Sequence, residues 1–183
     1  GELAEILEVL EKNNQSPVND FKIDLNNDGT YSFNVTGAAL DRFRADIFGK
    51  SSVDKLEYNK NFDFDEANAT AEQIMTYLMD KDNFGVDASA YDQKIAYEIV
   101  VLRYAIKGNF YARYKSTKIA QDVSDEVVAY VNEHMDSLPG VSVDEDMIRK
   151  YNYSEYFSSI IGYTGKISDS EYKKLFAEDD SYT

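Results

Sequence analysis

Cysteine is absent from this 183-residue sequence, which excludes disulfides, thiolate metal sites and cysteine nucleophiles. Tryptophan is also absent, so the 15 tyrosines and 10 phenylalanines must supply the aromatic packing. Only 2 prolines occur, and this scarcity favours long regular elements over a series of short proline-rich loops. Apolar residues make up 43% of the chain, so we expect a folded protein with a buried core rather than a disordered one.

Long apolar runs are missing too. No stretch approaches the roughly 18 residues that a membrane-spanning helix needs, and no signal peptide is visible. The sequence opens on Gly1 without an initiator methionine. From these features we expect an excised fragment whose targeting segment lies upstream.

Positive charge is scarce. The chain has 19 Lys and Arg residues against 34 Asp and Glu residues, a formal net charge of −15. Such a surface repels phosphate backbones and anionic lipids. We therefore expect no nucleic-acid partner and no polybasic site for a membrane surface.

Helical periodicity covers much of the sequence. Apolar residues at positions i, i+3, i+4 and i+7 predict a first helix, with Leu3, Ile6, Leu7 and Leu10 on its buried face. Further helices are predicted over about 37–48, 70–85, 89–107, 124–135, 154–161 and 168–175. Thr70 and Gln73 form a capping box at the start of one of them. We expect Ile106 and Met135 to face inward on their helices.

Alternating apolar and polar residues predict β-structure. Phe21–Leu25 and Tyr31–Val35 flank the dipeptide Asp28-Gly29, a strong signal for a β-hairpin. Two further strands are predicted over 111–121 and 141–151. The fold class is therefore α+β, with several helices packed on a hairpin and a small, mostly antiparallel sheet. We treat residues 1–183 as one domain, with two lobes of about 1–65 and 66–183 because the stretch 50–69 is polar and irregular.

One candidate metal site lies in the hairpin turn. Asp24, Asn26, Asp28 and Gly29 match the first half of a calcium-binding EF-hand loop. That loop needs a bidentate glutamate at its twelfth position, where this chain has Val35, and its flanks should be helices rather than strands. An Asp/Asn-rich turn is the favoured interpretation, and no cofactor is expected.

Candidate catalytic groups lack the partners that their chemistry requires. Ser52 and Lys55 match the S-x-x-K motif of penicillin-interacting enzymes, and Ser32-Phe33-Asn34 matches S-x-N by letter, but no K-[ST]-G follows. His134 is the single histidine, and no G-x-S-x-G motif accompanies it. We expect a histidine at a helix end rather than a catalytic base.

The C-terminal half carries the most specific sequence features. It contains Leu138-Pro139-Gly140-Val141, then an acidic segment that ends in Arg149-Lys150-Tyr151-Asn152-Tyr153, then Ile161-Gly162-Tyr163-Thr164-Gly165. This order resembles the dimerisation, or pedestal, domain of class B penicillin-binding proteins. The N-terminal half is similar to the Gram-positive members of that family, in Phe33-Asn34-Val35, Gly37 to Leu40, Arg42-Phe43 and Phe48-Gly49. The family's usual proline between two tyrosines is Asn152 here, and its frequent histidine is replaced by Ser158 or Ser159. The resemblance marks Arg149, Tyr151, Gly162, Tyr163 and Gly165 as structural motif residues.

That resemblance implies a function for the whole protein. The parent has one N-terminal membrane helix, this pedestal on the extracytoplasmic face of the bacterial membrane, and a D,D-transpeptidase domain that cross-links peptidoglycan and is acylated by penicillin. This chain is then a non-catalytic scaffold and interaction domain. The implied partners are the transpeptidase domain of the same chain, other cell-wall synthesis or division proteins and, from the family's traditional name, a second copy. The alternatives are a secreted acidic binding module that uses calcium at Asp24, Asn26 and Asp28, and a small hydrolase that uses carboxylates.

Overall fold

The computed structural model describes residues 1–109 and 114–145. It divides the chain into two compact units, Gly1–Val143 and Asp144–Thr183, and the description below concerns the first. Residues 50–69, where a lobe boundary is expected, lie inside this first unit. The predicted helices over 154–161 and 168–175 lie outside the described residues.

The predicted α+β class is confirmed. The described residues contain the helices α1 (Glu2–Lys12), α2 (Ala38–Ile47), α3 (Ala71–Met79), α4 (Gln93–Gly108) and α5 (Asp125–Glu133), with short 3-10 turns at Val53–Lys55 and Glu66–Asn68. The strands form two antiparallel pairs, β1 (Ile23–Leu25) with β2 (Tyr31–Phe33), and β3 (Tyr58–Asn59) with β4 (Phe64–Asp65). None of the helices in the described ranges is long and apolar enough to cross a bilayer.

Helix α4 lies at the centre of the core. Its central part includes Val100 and Leu102, which are completely buried. Against them pack Leu7 and Leu10 of α1, with the buried residues of α3 and β1 in the same apolar cluster. The buried face of α4 is wider than the single apolar stripe of a surface helix, because α1, α3 and the first hairpin all pack against it.

The first hairpin is bonded to the helical core. Its register pairs Ile23 with Phe33, and Gly29 takes the positive φ of 83° that the turn requires. The buried Tyr97 hydroxyl donates a hydrogen bond of 2.7 Å to the Ile23 carbonyl. The Gln93 side chain donates one of 2.6 Å to the Gly29 carbonyl. A Cβ at Gly29 would lie 2.9 Å from the oxygen at the end of the flexible Gln93 side chain, which could move aside, so the positive φ is the stronger reason for glycine.

Several predictions about strands are wrong for the residues described. Residues 114–121 form a turn and loop rather than a strand. An isolated backbone hydrogen bond, from the Val18 N–H to the Ile119 carbonyl, holds this loop in place of the repeated hydrogen bonds of a strand pair. Residues 141–145 are not a strand either. Conversely, the strand pair β3–β4 lies in the stretch 50–69 that was expected to be irregular. The sequence did not predict it because strands of two residues are too short to show an alternation of apolar and polar residues.

Two side chains expected to face inward are exposed. Met135 is 58% exposed because α5 ends at Glu133, before that residue. Ile106 is 45% exposed because it lies in the last turn of α4, beyond the buried segment. Ser124 occupies the predicted N-cap position of α5, but its side chain makes no capping hydrogen bond to the helix.

Candidate functional site

The side chains of Ser52 and Lys55, the S-x-x-K pair, do not bond each other, although the Lys55 backbone N–H donates to the Ser52 carbonyl at 3.2 Å. Ser52 precedes the short turn Val53–Lys55, and the Lys55 ammonium group donates a hydrogen bond of 2.8 Å to the hydroxyl of Ser51 instead. In a 3-10 turn the side chains at i and i+3, here Ser52 and Lys55, can lie on the same side. This turn ends at Lys55, however, and the bonded side chains of Ser51 and Lys55 are both exposed. The geometry therefore pairs the lysine with the neighbouring serine at the surface and forms no enclosed nucleophile site.

The S-x-N residues serve the hairpin. The Ser32 hydroxyl donates to the Asn26 side-chain oxygen at 3.1 Å. The Asn34 side chain donates to the Phe21 carbonyl at 3.0 Å and to an Asp24 carboxylate oxygen at 2.8 Å. Both side chains therefore have a structural role, since they stabilise the hairpin through hydrogen bonds.

The candidate calcium ligands are engaged in the same turn. One oxygen of Asp28 accepts hydrogen bonds from the Thr30 backbone N–H at 3.0 Å and from its hydroxyl at 2.6 Å. The Thr30 hydrogen bonds hold the pKa of Asp28 below its ordinary value. Asn26 donates to the Thr30 hydroxyl at 2.9 Å. Across residues 1–109 and 114–145, no group of three or more His, Asp or Glu side chains is arranged to hold a metal ion.

His134 lies directly after α5, at the negative end of the helix dipole. Its Nδ1 atom is 2.9 Å from the Tyr130 carbonyl, to which it donates a hydrogen bond because a carbonyl oxygen can only accept one. The imidazole also stacks on the Tyr130 ring at 3.9 Å between centroids. The Tyr130 hydroxyl donates to Glu5 at 3.0 Å, which joins α5 to α1. His134 is therefore a structural part of a helix end.

A buried acid, Glu66, is a feature that the sequence analysis missed. Its carboxylate accepts the Glu57 backbone N–H at 3.2 Å and lies 3.4 Å from the Lys50 ammonium group. Lys50 also bonds the Glu57 carboxylate at 2.5 Å, and this bond raises the pKa of Lys50. Burial and then the charge of Glu66 raise the pKa of the Tyr77 hydroxyl. The cluster fastens the β3–β4 hairpin, and nothing in the local sequence marks this glutamate as buried.

Arg44 is a second feature that was missed. Its Nε and Nη2 atoms both donate to the Ala69 carbonyl, at 3.2 and 2.9 Å. The guanidinium carbon lies 5.4 Å from the centre of the Phe33 ring. A sequence signal existed, because Arg44 stands four residues after Leu40 and three before Ile47, on the apolar stripe of α2. Arg44 thus joins α2, the first hairpin and the segment before α3.

A cavity of about 410 Å³ lies between the start of α1 and the segment after α3. Its wall includes Leu3, Val86, Ile99, Asp87 and Arg103. Hydrogen bonds from Ser89 lower the pKa of Asp87, so this carboxylate is ionised and already bonded. The wall thus combines aliphatic surface with charged groups of both signs, and its described lining residues include no serine, cysteine or histidine that could form a nucleophile–base pair.

The family-motif residues Arg149, Tyr151, Gly162, Tyr163 and Gly165 lie outside the described residues. Their assignment therefore stays a prediction from the sequence.

Comparison with known proteins supplies the classification that the geometry leaves open. Residues 37–183 match the family model described as the penicillin-binding protein dimerisation domain. A stretch of 42 residues is 45% identical to penicillin-binding protein 2A of Bacillus subtilis (strain 168). That stretch makes up 23% of this chain and 6% of the length of the relative.

Proposed function

We propose that this chain, which belongs to the family of penicillin-binding protein dimerisation domains, is a non-catalytic scaffold and interaction domain of a class B penicillin-binding protein. The observation that carries the proposal is the family match, which extends over residues 37–183 and so over most of the chain. The short stretch of identity to a protein named penicillin-binding protein 2A agrees with it.

The packing of the first unit supports a scaffold role. A scaffold must resist deformation, and interiors packed at crystal-like density transmit strain rather than absorb it. Here one apolar cluster links α1, α3, α4 and both hairpins. Polar bonds from Tyr97, Gln93 and Arg44 then fix the first hairpin and α2 on that cluster.

The state of the reactive side chains supports a non-catalytic role. Acylation of a serine requires a base within hydrogen-bond reach and donors for the developing oxyanion. Lys55 bonds Ser51, and Ser32 and Asn34 bond the hairpin. In the parent protein, penicillin binding and transpeptidation then belong to a separate domain of the same chain.

The parent protein supplies location and partners. In this proposal it is held by a single N-terminal membrane helix, with the domain on the extracytoplasmic face of the bacterial membrane, and it takes part in cell-wall synthesis. The domain contacts the transpeptidase domain and other cell-wall synthesis or division proteins, and a second copy is among its partners. The calcium-binding alternative gains no support, because Asp24 and Asp28 already accept hydrogen bonds within the turn.

Labelling with a fluorescent penicillin tests the proposal. We expect no covalent label on the 183-residue chain, and strong labelling of a parent chain that includes the transpeptidase domain. The control is the parent carrying Ser52→Ala, which should label as strongly as the unsubstituted parent. Covalent labelling of the 183-residue chain that Ser52→Ala abolishes would contradict the non-catalytic assignment.

A further inference from the structure

Charge is distributed unevenly along the chain. Between Glu98 and Asp122 there is no Asp or Glu, while five of the 19 basic residues lie there. The rest of the chain therefore has 14 basic residues against all 34 acidic ones. The net charge of −15 averages over these two regions, and it conceals a locally basic one.

The described residues of this region form a surface that is both basic and apolar. Lys107, Lys115 and Lys118 are exposed. Beside them in the chain, Tyr114 is 84% exposed and Ile106 is 45% exposed. We name these five residues the basic surface. Tyr114 is the most exposed large apolar side chain found in the described ranges.

Hydrogen bonds bring the two parts of the basic surface together. The Asn109 side chain donates to the Thr117 hydroxyl at 2.9 Å, which joins the end of α4 to the loop that follows. Lys107, Lys115 and Lys118 each lie within two residues of that bonded pair. The Val18 N–H donates to the Ile119 carbonyl at 2.9 Å and fixes the loop to the core. The surface is therefore anchored at its base.

The lysines of the basic surface have no carboxylate partner in the described ranges. The ion pairs found there use Arg42, Arg44, Lys50 and Lys94. Lys107 lies 5.7 Å from the centre of the Phe84 ring, and Lys115 lies 5.9 Å from that of Tyr114. Such contacts orient an ammonium group over an aromatic face without neutralising its charge. Within the described ranges, these three positive charges are therefore not neutralised.

We propose that the basic surface docks a short segment of a partner protein that combines acidic side chains with an aromatic or aliphatic one. Carboxylates would meet the three lysines, and the apolar side chain would cover Tyr114 and Ile106. Aromatic residues are enriched at the centres of such interfaces, and charges at their rims steer association. This proposal rests on the proposed scaffold function and gives the chemistry of one of its partners.

Electrostatic screening favours a compact acidic segment over a membrane. The Debye length at physiological salt is about 8 Å, so a short segment at the basic surface senses mainly the local lysines. A planar anionic bilayer would also meet the strongly acidic remainder of the domain, which repels it. The same argument disfavours nucleic acid, whose phosphates extend over many Debye lengths.

Binding of a random copolymer of glutamate and tyrosine tests the proposal on the 183-residue chain. We expect the unsubstituted chain to bind the labelled copolymer in fluorescence anisotropy, and to bind it more weakly as salt rises from about 50 mM to about 300 mM. The triple variant Lys107→Glu, Lys115→Glu, Lys118→Glu should bind about tenfold more weakly or worse. Tyr114→Ala should also weaken binding, with little effect on its salt dependence.

The matched control reverses three exposed lysines elsewhere, Lys12→Glu, Lys60→Glu and Lys81→Glu. It changes the net charge equally and should bind the copolymer within about twofold of the unsubstituted chain. Circular dichroism of every variant establishes that the fold is retained.

Two results of the copolymer experiment would overturn the proposal: no binding by the unsubstituted chain, or an equal loss of binding affinity in both triple variants. Two further results would also overturn it. One is tighter binding to phosphatidylglycerol vesicles than to the copolymer, and the other is self-association in sedimentation that only the first triple variant abolishes. The last two would assign the surface to a membrane or to a second copy. Each leaves the penicillin-labelling result unaffected, so failure of this proposal is distinguishable from failure of the scaffold function.

Discussion

At the scale of single residues, side chains that look like surface charge in the sequence carry structural roles. The Arg44 side chain is only 13% exposed, and its two donors share the Ala69 carbonyl. Its neighbour Arg42 pairs with Asp46 on the same helix and is 55% exposed. We therefore expect Arg44 to contribute more than Arg42 to the free energy of unfolding, because burial strengthens a hydrogen bond and exposure lets water compete with it.

Replacement of Arg44 by lysine tests this difference. Arg44→Lys cannot reproduce the two-donor contact or the planar contact with Phe33. We expect it to lower the free energy of unfolding by about 1–2 kcal/mol. Arg42→Lys is the matched control and should change it by at most about 0.5 kcal/mol. Equal effects in urea denaturation would show that Arg44 does not join α2 to the first hairpin and to the segment before α3.

Glu98 gives a pH-dependent prediction. Burial, opposed by the nearby Lys94, raises the pKa of Glu98 above its ordinary value of 4.5. The native state therefore binds this proton more tightly than the unfolded state, and stability falls as pH rises from about 4.5 through the raised pKa. We expect Glu98→Gln to have a higher Tm than the unsubstituted chain at pH 7, and for that advantage to disappear near pH 4.

A glutamate with the opposite shift serves as the control. The hydrogen bond from Lys50 lowers the pKa of the exposed Glu57. Its contribution to stability is present above the ordinary pKa and is lost as pH falls. Glu57→Gln should therefore lower the Tm slightly at pH 7 and change it less at acidic pH. A Tm shift of the same sign in both variants would show that burial of Glu98 does not govern its effect.

At the scale of elements, the family match and the packing define different boundaries. The match begins at Gly37, yet α1 and the first hairpin precede it and belong to the core. Leu7 and Leu10 of α1 are buried completely or nearly so. Lys94 of α4 bonds Glu11 of α1 at 2.5 Å. We infer that residues before Gly37 are an integral part of this domain.

Truncation of a core side chain in α1 tests that inference. Leu7→Ala removes a fully buried side chain and should lower the free energy of unfolding of the whole unit by about 2–5 kcal/mol. Glu8→Ala, at the adjacent exposed position, should change it by at most about 0.5 kcal/mol. Both values come from chemical denaturation followed by circular dichroism. If Leu7→Ala unfolds α1 alone and leaves the main transition unchanged, α1 is peripheral.

Helices and strands differed in how well the sequence predicted them. The five described helices follow from apolar periodicity and from signals such as the Thr70–Gln73 capping box, which is present with both of its hydrogen bonds. The Asp28-Gly29 hairpin is equally local. The β3–β4 pair was missed and residues 114–121 were wrongly predicted as a strand, because whether a short segment is extended and paired depends on contacts remote in sequence.

At the scale of the whole molecule, averages conceal the arrangement of charge. The net charge of −15 predicts repulsion of polyanions, and it gave no reason to expect a basic surface. The unbroken run without acidic residues between Glu98 and Asp122 was available in the sequence. That this run forms a basic surface depends on the Asn109–Thr117 hydrogen bond, which brings the lysine at the end of α4 close to the lysines of the following loop.

The α+β class, the described helices, the first hairpin and the family follow from the sequence alone, because they depend on local periodicity, turn chemistry and residue order. The sequence also showed that the serine–lysine motif lacks its K-[ST]-G partner. Four features became visible in the folded chain: Lys55 bonds Ser51, Glu66 is buried, Arg44 joins three segments, and Ile106 and Met135 face solvent. Those outcomes depend on which distant segments meet, and pairings between segments far apart in the chain leave no periodic trace in the order of residues.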